Sequence, residues 1–163
     1  MIQILKDLIS NHILLAALCA WLFSQVLKLI IHALVERKFS FERLYGDGGM
    51  PSTHSATVVS LAAMCGWCCG FASVEFAIAL IYASVVMRDA TGVRREAGKH
   101  ATAIKELVKG LNAMFVEKNS QIRTEKLKEF VGHTPLQVFF GAILGVLIAV
   151  IYISVFSVPY ALF

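Results

Sequence analysis

The sequence predicts an all-α, polytopic membrane bundle with about four transmembrane helices, and three observations predict it. The 163 residues are 58% hydrophobic and only 16% charged, with a mean hydropathy of +0.72. A chain this short has too little interior to hide that much apolar surface, so lipid must cover part of it. The apolar residues also gather into four runs, on the scale of the roughly 20 residues that carry a helix across a bilayer core. No run alternates with a period of two, and backbone inside lipid must satisfy its own hydrogen bonds, which leaves helices rather than a barrel. Residues 1–163 read as a single membrane-embedded domain without repeats.

Residues 1–10, "MIQILKDLIS", set Ile2, Leu5, Leu8 and Ile9 against Gln3, Lys6 and Asp7. That is an amphipathic helix suited to lying on the membrane surface. The following run, about 12–35, is interrupted by Ser24, Gln25, Lys28 and His32, and is longer than a signal-peptide core, so it is read as retained. A second helix is expected at about 54–71, after Pro51. A third, about 74–95, begins with "VEFAIALIYASVVM" and continues into the polar "RDATGVRR", which needs shielding by protein or a place at the interface. A polar insertion of about 96–132 holds a second amphipathic helix, with Ala103, Leu107, Leu111 and Met114 opposite Lys105, Lys109 and Asn112. The last helix spans about 135–158. Its Gly141 and Gly145 form a G-x-x-x-G that permits close helix packing, and with only four spans a homodimer is expected.

Charge gives an orientation. The connections at 36–53 and 88–133 lie on one side of the membrane and hold every Lys and Arg except Lys6 and Lys28. The positive-inside rule places that side in the cytoplasm, and the expected location is a bacterial cytoplasmic membrane. The basic segments lack interleaved aromatic residues, so anionic lipid headgroups suit them better than nucleic acid. Cys65, Cys68 and Cys69 fall inside a helix without a histidine within a turn, and are read as packing residues. Trp21 and Trp67 are read the same way, and His12, His32 and His100 as structural. No phosphate-loop, dinucleotide or zinc signature is present, and no cofactor is expected.

Two segments carry chemistry. In "GDGGMPSTHSA" (46–56) and "GHTPLQ" (132–137), glycine, proline and hydroxyl residues surround a histidine where a spanning helix begins. Ser52 or Thr53 can cap the first helix. Thr134 can cap the second, with Pro135 in its first turn. A helix start presents free N–H groups and the positive end of the macrodipole, which suits an anion. Two such starts on one side, with basic residues nearby, suit a phosphate.

These segments resemble the divergent branch of the type 2 phosphatidic acid phosphatase superfamily, which includes acid phosphatases and vanadium haloperoxidases. The superfamily motifs are K-x6-R-P, P-S-G-H and S-R-x5-H-x3-D. "PSTH" (51–54) is similar to the second and "HTPLQ" (133–137) to the end of the third, while "VMRDATGVRREAGKHA" (86–101) is typical of the divergent branch. The resemblance implies a metal-independent phosphatase for a lipid phosphate or diphosphate, polyprenyl or phosphatidate-like, with vanadate as a phosphate mimic. By position it makes His133 the nucleophile and His54 the general acid, with phosphate held by Lys28, Arg37, Ser52, Thr53, Arg94 and Arg95.

The departures are specific. Thr53 replaces the motif glycine, and Gln137 replaces the aspartate that orients the nucleophile. Val35 stands at the first-motif arginine, leaving Arg37 as the nearest substitute. Leu127 stands six residues before His133, so the clamp falls to Arg94, or locally to Lys126 or Lys128. Asp89 is expected to orient an arginine or a histidine. Five-residue spacing on one helix would keep it from meeting Arg94. The alternative is a non-catalytic protein that binds or moves anionic lipids with a degenerate phosphate pocket.

Overall fold

The computed structural model describes residues 1–36, 49–114 and 132–161. Among them lie six helices: α1 (Ile2–Ser10), α2 (His12–Glu36), α3 (Thr53–Cys69), α4 (Val74–Thr91), α5 (Val93–Met114) and α6 (Pro135–Phe156). Three stretches are long and apolar enough to cross a membrane: His12–Leu34, Val74–Ala113 and Pro135–Phe156. The expected fourth crossing, α3, has 17 residues and reaches about 25 Å at 1.5 Å per residue. That is short of a hydrocarbon core of about 30 Å. Its shortness is tolerable because α3 stands in the middle of the bundle, packed on α2, α4 and α6, so most of its surface never meets lipid.

Small residues explain why α3 takes the centre. The buried face of α2 repeats every four residues as Ala16, Ala20, Ser24 and Lys28, a stripe that lets two backbones come close. Ser60 Oγ of α3 donates to the Ala16 carbonyl at 3.3 Å, while Lys28 lies against Gly49 just ahead of α3. These two contacts fix α2 and α3 as antiparallel. On the other side, a Cβ at Gly145 would lie 2.5 Å from the Ala56 carbonyl oxygen, and one at Gly141 would strike that of Ser52. Since 52 meets 141 and 56 meets 145, α6 runs parallel to α3. The G-x-x-x-G is therefore used inside the chain, as the close helix packing it was expected to permit.

Elsewhere the boundaries shift for identifiable reasons. The third apolar helix does not run unbroken to 95: α4 ends at Thr91 and Gly92 turns the chain (φ −100°, ψ −96°) before α5 begins. At the other end, α6 stops at Phe156, where Ser157 takes a left-handed conformation. The chain then folds back on α3, with Trp67 Nε1 donating to the Val158 carbonyl at 2.9 Å and Ala161 N–H to the Trp67 carbonyl at 2.8 Å. Cys68 packs with Met64 and Tyr152 in one core cluster, and Cys65 with Ala79 and Ala83 in another. His12 faces the Tyr152 hydroxyl at 3.4 Å, at the end of the bundle away from His54. Trp21 is not a packing residue, because its side of α2 faces outward and is exposed. The apolar side of α1 is exposed along its whole length, as are Leu107 and Leu111 of α5.

Candidate functional site

Parallel packing of α3 and α6 sets their first turns side by side at one end of the bundle. Ser52 caps α3, its Oγ accepting from Ser55 N–H at 3.3 Å and from the Ser55 hydroxyl at 3.0 Å. Thr134 caps α6 in a reciprocal box: Gln137 N–H donates to Thr134 Oγ1 at 3.3 Å, and Thr134 N–H to Gln137 Oε1 at 2.9 Å. Ser52 N–H then donates to the Gln137 main-chain carbonyl at 3.0 Å, tying one cap to the other. This backbone tie brings the two motif histidines together, with ring centroids of His54 and His133 6.1 Å apart and planes inclined at 61°.

His133 is held from three directions and is 2% exposed. Its backbone N–H donates to the Ala90 carbonyl of α4 at 2.9 Å. The preceding Gly132 has φ +94° and lies against the backbone of Arg94 and Arg95, where any Cβ would collide; only glycine meets both demands. The ring's Nδ1 is 3.3 Å from Gln137 Oε1. Thr134 N–H can only donate, so the Gln137 atom it meets must be oxygen. The same oxygen can only accept from His133, which puts the proton of a neutral ring on Nδ1 and the lone pair on Nε2. Nε2 is a buried atom.

Lys28 is 5% exposed, so it is enclosed by the bundle rather than snorkelling to a lipid interface. Its stem packs on the backbone of Gly49, whose φ of +106° opens the turn leading to Pro51 and Ser52; a Cβ there would lie 3.3 Å from Lys28 Cδ. Thr53 opens α3 with a buried Oγ1 that finds no hydrogen-bond partner among the described residues. The polar floor thus comprises Lys28, Ser52, Thr53 and Ser55, all buried, with His54 half-buried above it.

Asp89 and Arg94 do meet, against expectation: Arg94 Nε donates to Asp89 Oδ2 at 2.6 Å. Residues five apart lie about 140° round a continuous helix, but the turn at Gly92 breaks that geometry and folds the guanidinium back. Arg95 is exposed, and its backbone lies against Gly132, next to His133. Arg37, like Lys126, Leu127 and Lys128, lies outside the described residues. Sequence reasoning missed the Ala90 carbonyl, Ser55 and the supporting glycines Gly49 and Gly132. The glycines carried a signal, since each closely precedes a motif histidine; the carbonyl carried none.

The fold and this arrangement define a helical integral membrane protein with a paired-histidine, cation-bearing site at one end of its bundle. Comparison with known proteins makes the class specific. Residues 9–148 match the model of the divergent PAP2 family, and the chain belongs to that family. It is also 40% identical over 151 residues to the uncharacterized membrane protein YuiD of Bacillus subtilis strain 168, an alignment covering 89% of this chain and 96% of YuiD. No solved structure matches the chain.

Proposed function

We propose that the protein hydrolyses a phosphate or diphosphate ester of a membrane lipid, with His133 as nucleophile and His54 as general acid. The observation that carries this reading is the 6.1 Å separation of the two imidazoles, with a lysine buried at the same end of the bundle. In-line transfer sets a near-attack contact of about 3 Å, the breaking P–O bond and a hydrogen bond of about 3 Å end to end between the two reacting nitrogens, so the two rings must flank a single phosphate, as neighbouring imidazoles can. His133 Nε2 offers its lone pair to phosphorus, and the bond between phosphorus and the lipid oxygen breaks. A protonated His54 gives its proton to that oxygen, releasing the lipid alcohol from a monophosphate or the lipid monophosphate from a diphosphate. Water then attacks the phosphohistidine, His54 takes the proton from that water, and inorganic phosphate leaves. Lys28, the Thr53 hydroxyl and Arg94 stabilise charge on the transferring oxygens. Polyprenyl and phosphatidate-like phosphates are the substrate class, because their headgroups lie at the depth of the helix starts.

The test is phosphate release from purified protein against a panel of such lipids, with a chelator present. Wild type is expected to release phosphate and His133→Ala to abolish release while keeping the helical circular-dichroism spectrum. Release that survives His133→Ala overturns the reading. The second reading, an anionic-lipid binder or transporter without turnover, is favoured by one observation: Gln137 supplies an acceptor but no charge at the position that faces Nδ1. Binding across the panel without release would select it. The site belongs on the cytoplasmic side in either case, by the charge of the connections. In a variant lacking the four native cysteines, Ser120→Cys should resist an impermeant thiol reagent in intact cells, and labelling would reverse the orientation.

A further inference from the structure

The ion pair between Asp89 and Arg94 calls for an explanation beyond structure-building. It spans the break at Gly92, and that break is the seat of the proposed nucleophile: Ala90, next to Asp89, accepts the His133 N–H, and Gly132 rests on the backbone of Arg94 and Arg95. The guanidinium and the imidazole therefore issue from segments in direct contact. Both partners of the pair remain about two-fifths exposed, at 43% for Arg94 and 41% for Asp89, whereas Lys28, Thr53 and His133 are buried, so the pair is open to an approaching anion. At this level, just past the apolar part of α4, the surrounding anions are lipid headgroups. Most bilayer phosphates are diesters, each with one negative charge and two non-bridging oxygens. A phosphomonoester carries up to two charges and three such oxygens, and pairs with arginine through two parallel hydrogen bonds.

We infer that Asp89 is a specificity residue: it occupies Arg94 against the abundant phosphodiester lipids and yields it to a phosphomonoester. This rests on the reading of the site given above. A tethered carboxylate 2.6 Å from Nε acts as a built-in competitor at high effective concentration. A singly charged diester offers Arg94 no more charge than Asp89 already does, so it gains nothing by displacing it. A dianionic monoester offers twice the charge, spread over three such oxygens instead of two. The exposed pair is itself weak enough to be exchanged. Arg94 thus discriminates through an unfavourable exchange imposed on the wrong ligand, not through a contact reserved for the right one.

The experiment measures phosphate release from a phosphatidate-type monoester by full-length protein in phosphatidylcholine vesicles, as phosphatidylglycerol progressively replaces phosphatidylcholine. Each protein is normalised to its own rate without phosphatidylglycerol. Wild type should change by less than about twofold, whereas Asp89→Asn should slow by about fivefold or more as the anionic diester competes for Arg94. Asp89→Glu, which retains the competing charge, should stay close to wild type; a merely structural staple would not produce inhibition that depends on the diester. Equal sensitivity of wild type and Asp89→Asn overturns the proposal, as does strong inhibition of wild type. Should Asp89→Asn fail to fold, native mass spectrometry of wild type decides: retention of phosphatidylglycerol equal to that of phosphatidate overturns it. Absence of release by wild type in phosphatidylcholine alone would show that the underlying phosphatase reading had failed, before any net-anionic diester was added.

Discussion

Gln137→Glu is the most informative substitution in this molecule. It changes one atom, nitrogen to oxygen, in a side chain whose Oε1 already accepts from Thr134 N–H at 2.9 Å and faces His133 Nδ1 at 3.3 Å. The capping box survives, since glutamate and glutamine serve it alike. What changes is charge. When His133 attacks phosphorus its ring becomes cationic, and a carboxylate at that distance stabilises the cation where an amide cannot. Two unit charges about 4 Å apart attract by roughly 4 kcal/mol at an effective dielectric near 20. Desolvating the carboxylate returns part of this, so about 1.4 kcal/mol, or tenfold in rate, is a fair floor. Single-turnover kinetics with a lipid phosphate should show faster phosphohistidine formation in Gln137→Glu. Gln137→Leu, which removes the acceptor from both partners, should slow it and also cost about 1 kcal/mol of stability through the lost cap. If the glutamate variant binds vanadate as wild type does yet forms the intermediate no faster, the assignment of Nδ1 as proton donor and Nε2 as nucleophile is refuted.

Further outcomes follow from the same geometry. Gly145→Leu places a side chain where even a Cβ would sit 2.5 Å from the Ala56 carbonyl oxygen, so α6 must move off α3; a loss of about 1–3 kcal/mol or more is expected, read as a lower unfolding midpoint in detergent. Lys28→Met keeps the buried stem and removes the charge, and should weaken vanadate binding by about tenfold or more, read by titration of the purified protein. His54→Gln should let the phosphohistidine accumulate from substrates with a good leaving group and stall those with a lipid alcohol, a split visible by quenched-flow with both substrate types.

Much of this was legible before any coordinates. The spanning helices follow from hydropathy alone, and both caps follow from short-range chemistry: Ser52 and Thr134 stand one residue ahead of the helices they start. The meeting of His54 with His133 was legible only as a shared side of the membrane. The contact itself depends on α3 and α6 packing directly against each other, which the glycines at 141 and 145 permit and which no periodicity reveals. The Asp89–Arg94 pair was hidden for a different reason. Five-residue spacing excludes it on any unbroken helix, and nothing local distinguishes the break at Gly92 from the tolerated glycine at Gly110 inside α5. Lys28 read equally as a snorkelling residue or a ligand, because depth along a helix says nothing about which face looks inward.

The seat of His133 also bears on what can be built into the protein. Its imidazole is located by Ala90 and by the first turn of α5, so the chain leaves that turn and returns to it, and the long stretch between is a closed excursion whose two ends are clasped together. Closing such a circuit grows harder only with the logarithm of its length. A reporter domain spliced between positions 115 and 131 should therefore leave the imidazole where it stands, which makes this stretch the natural place to attach a fluorophore or an affinity handle.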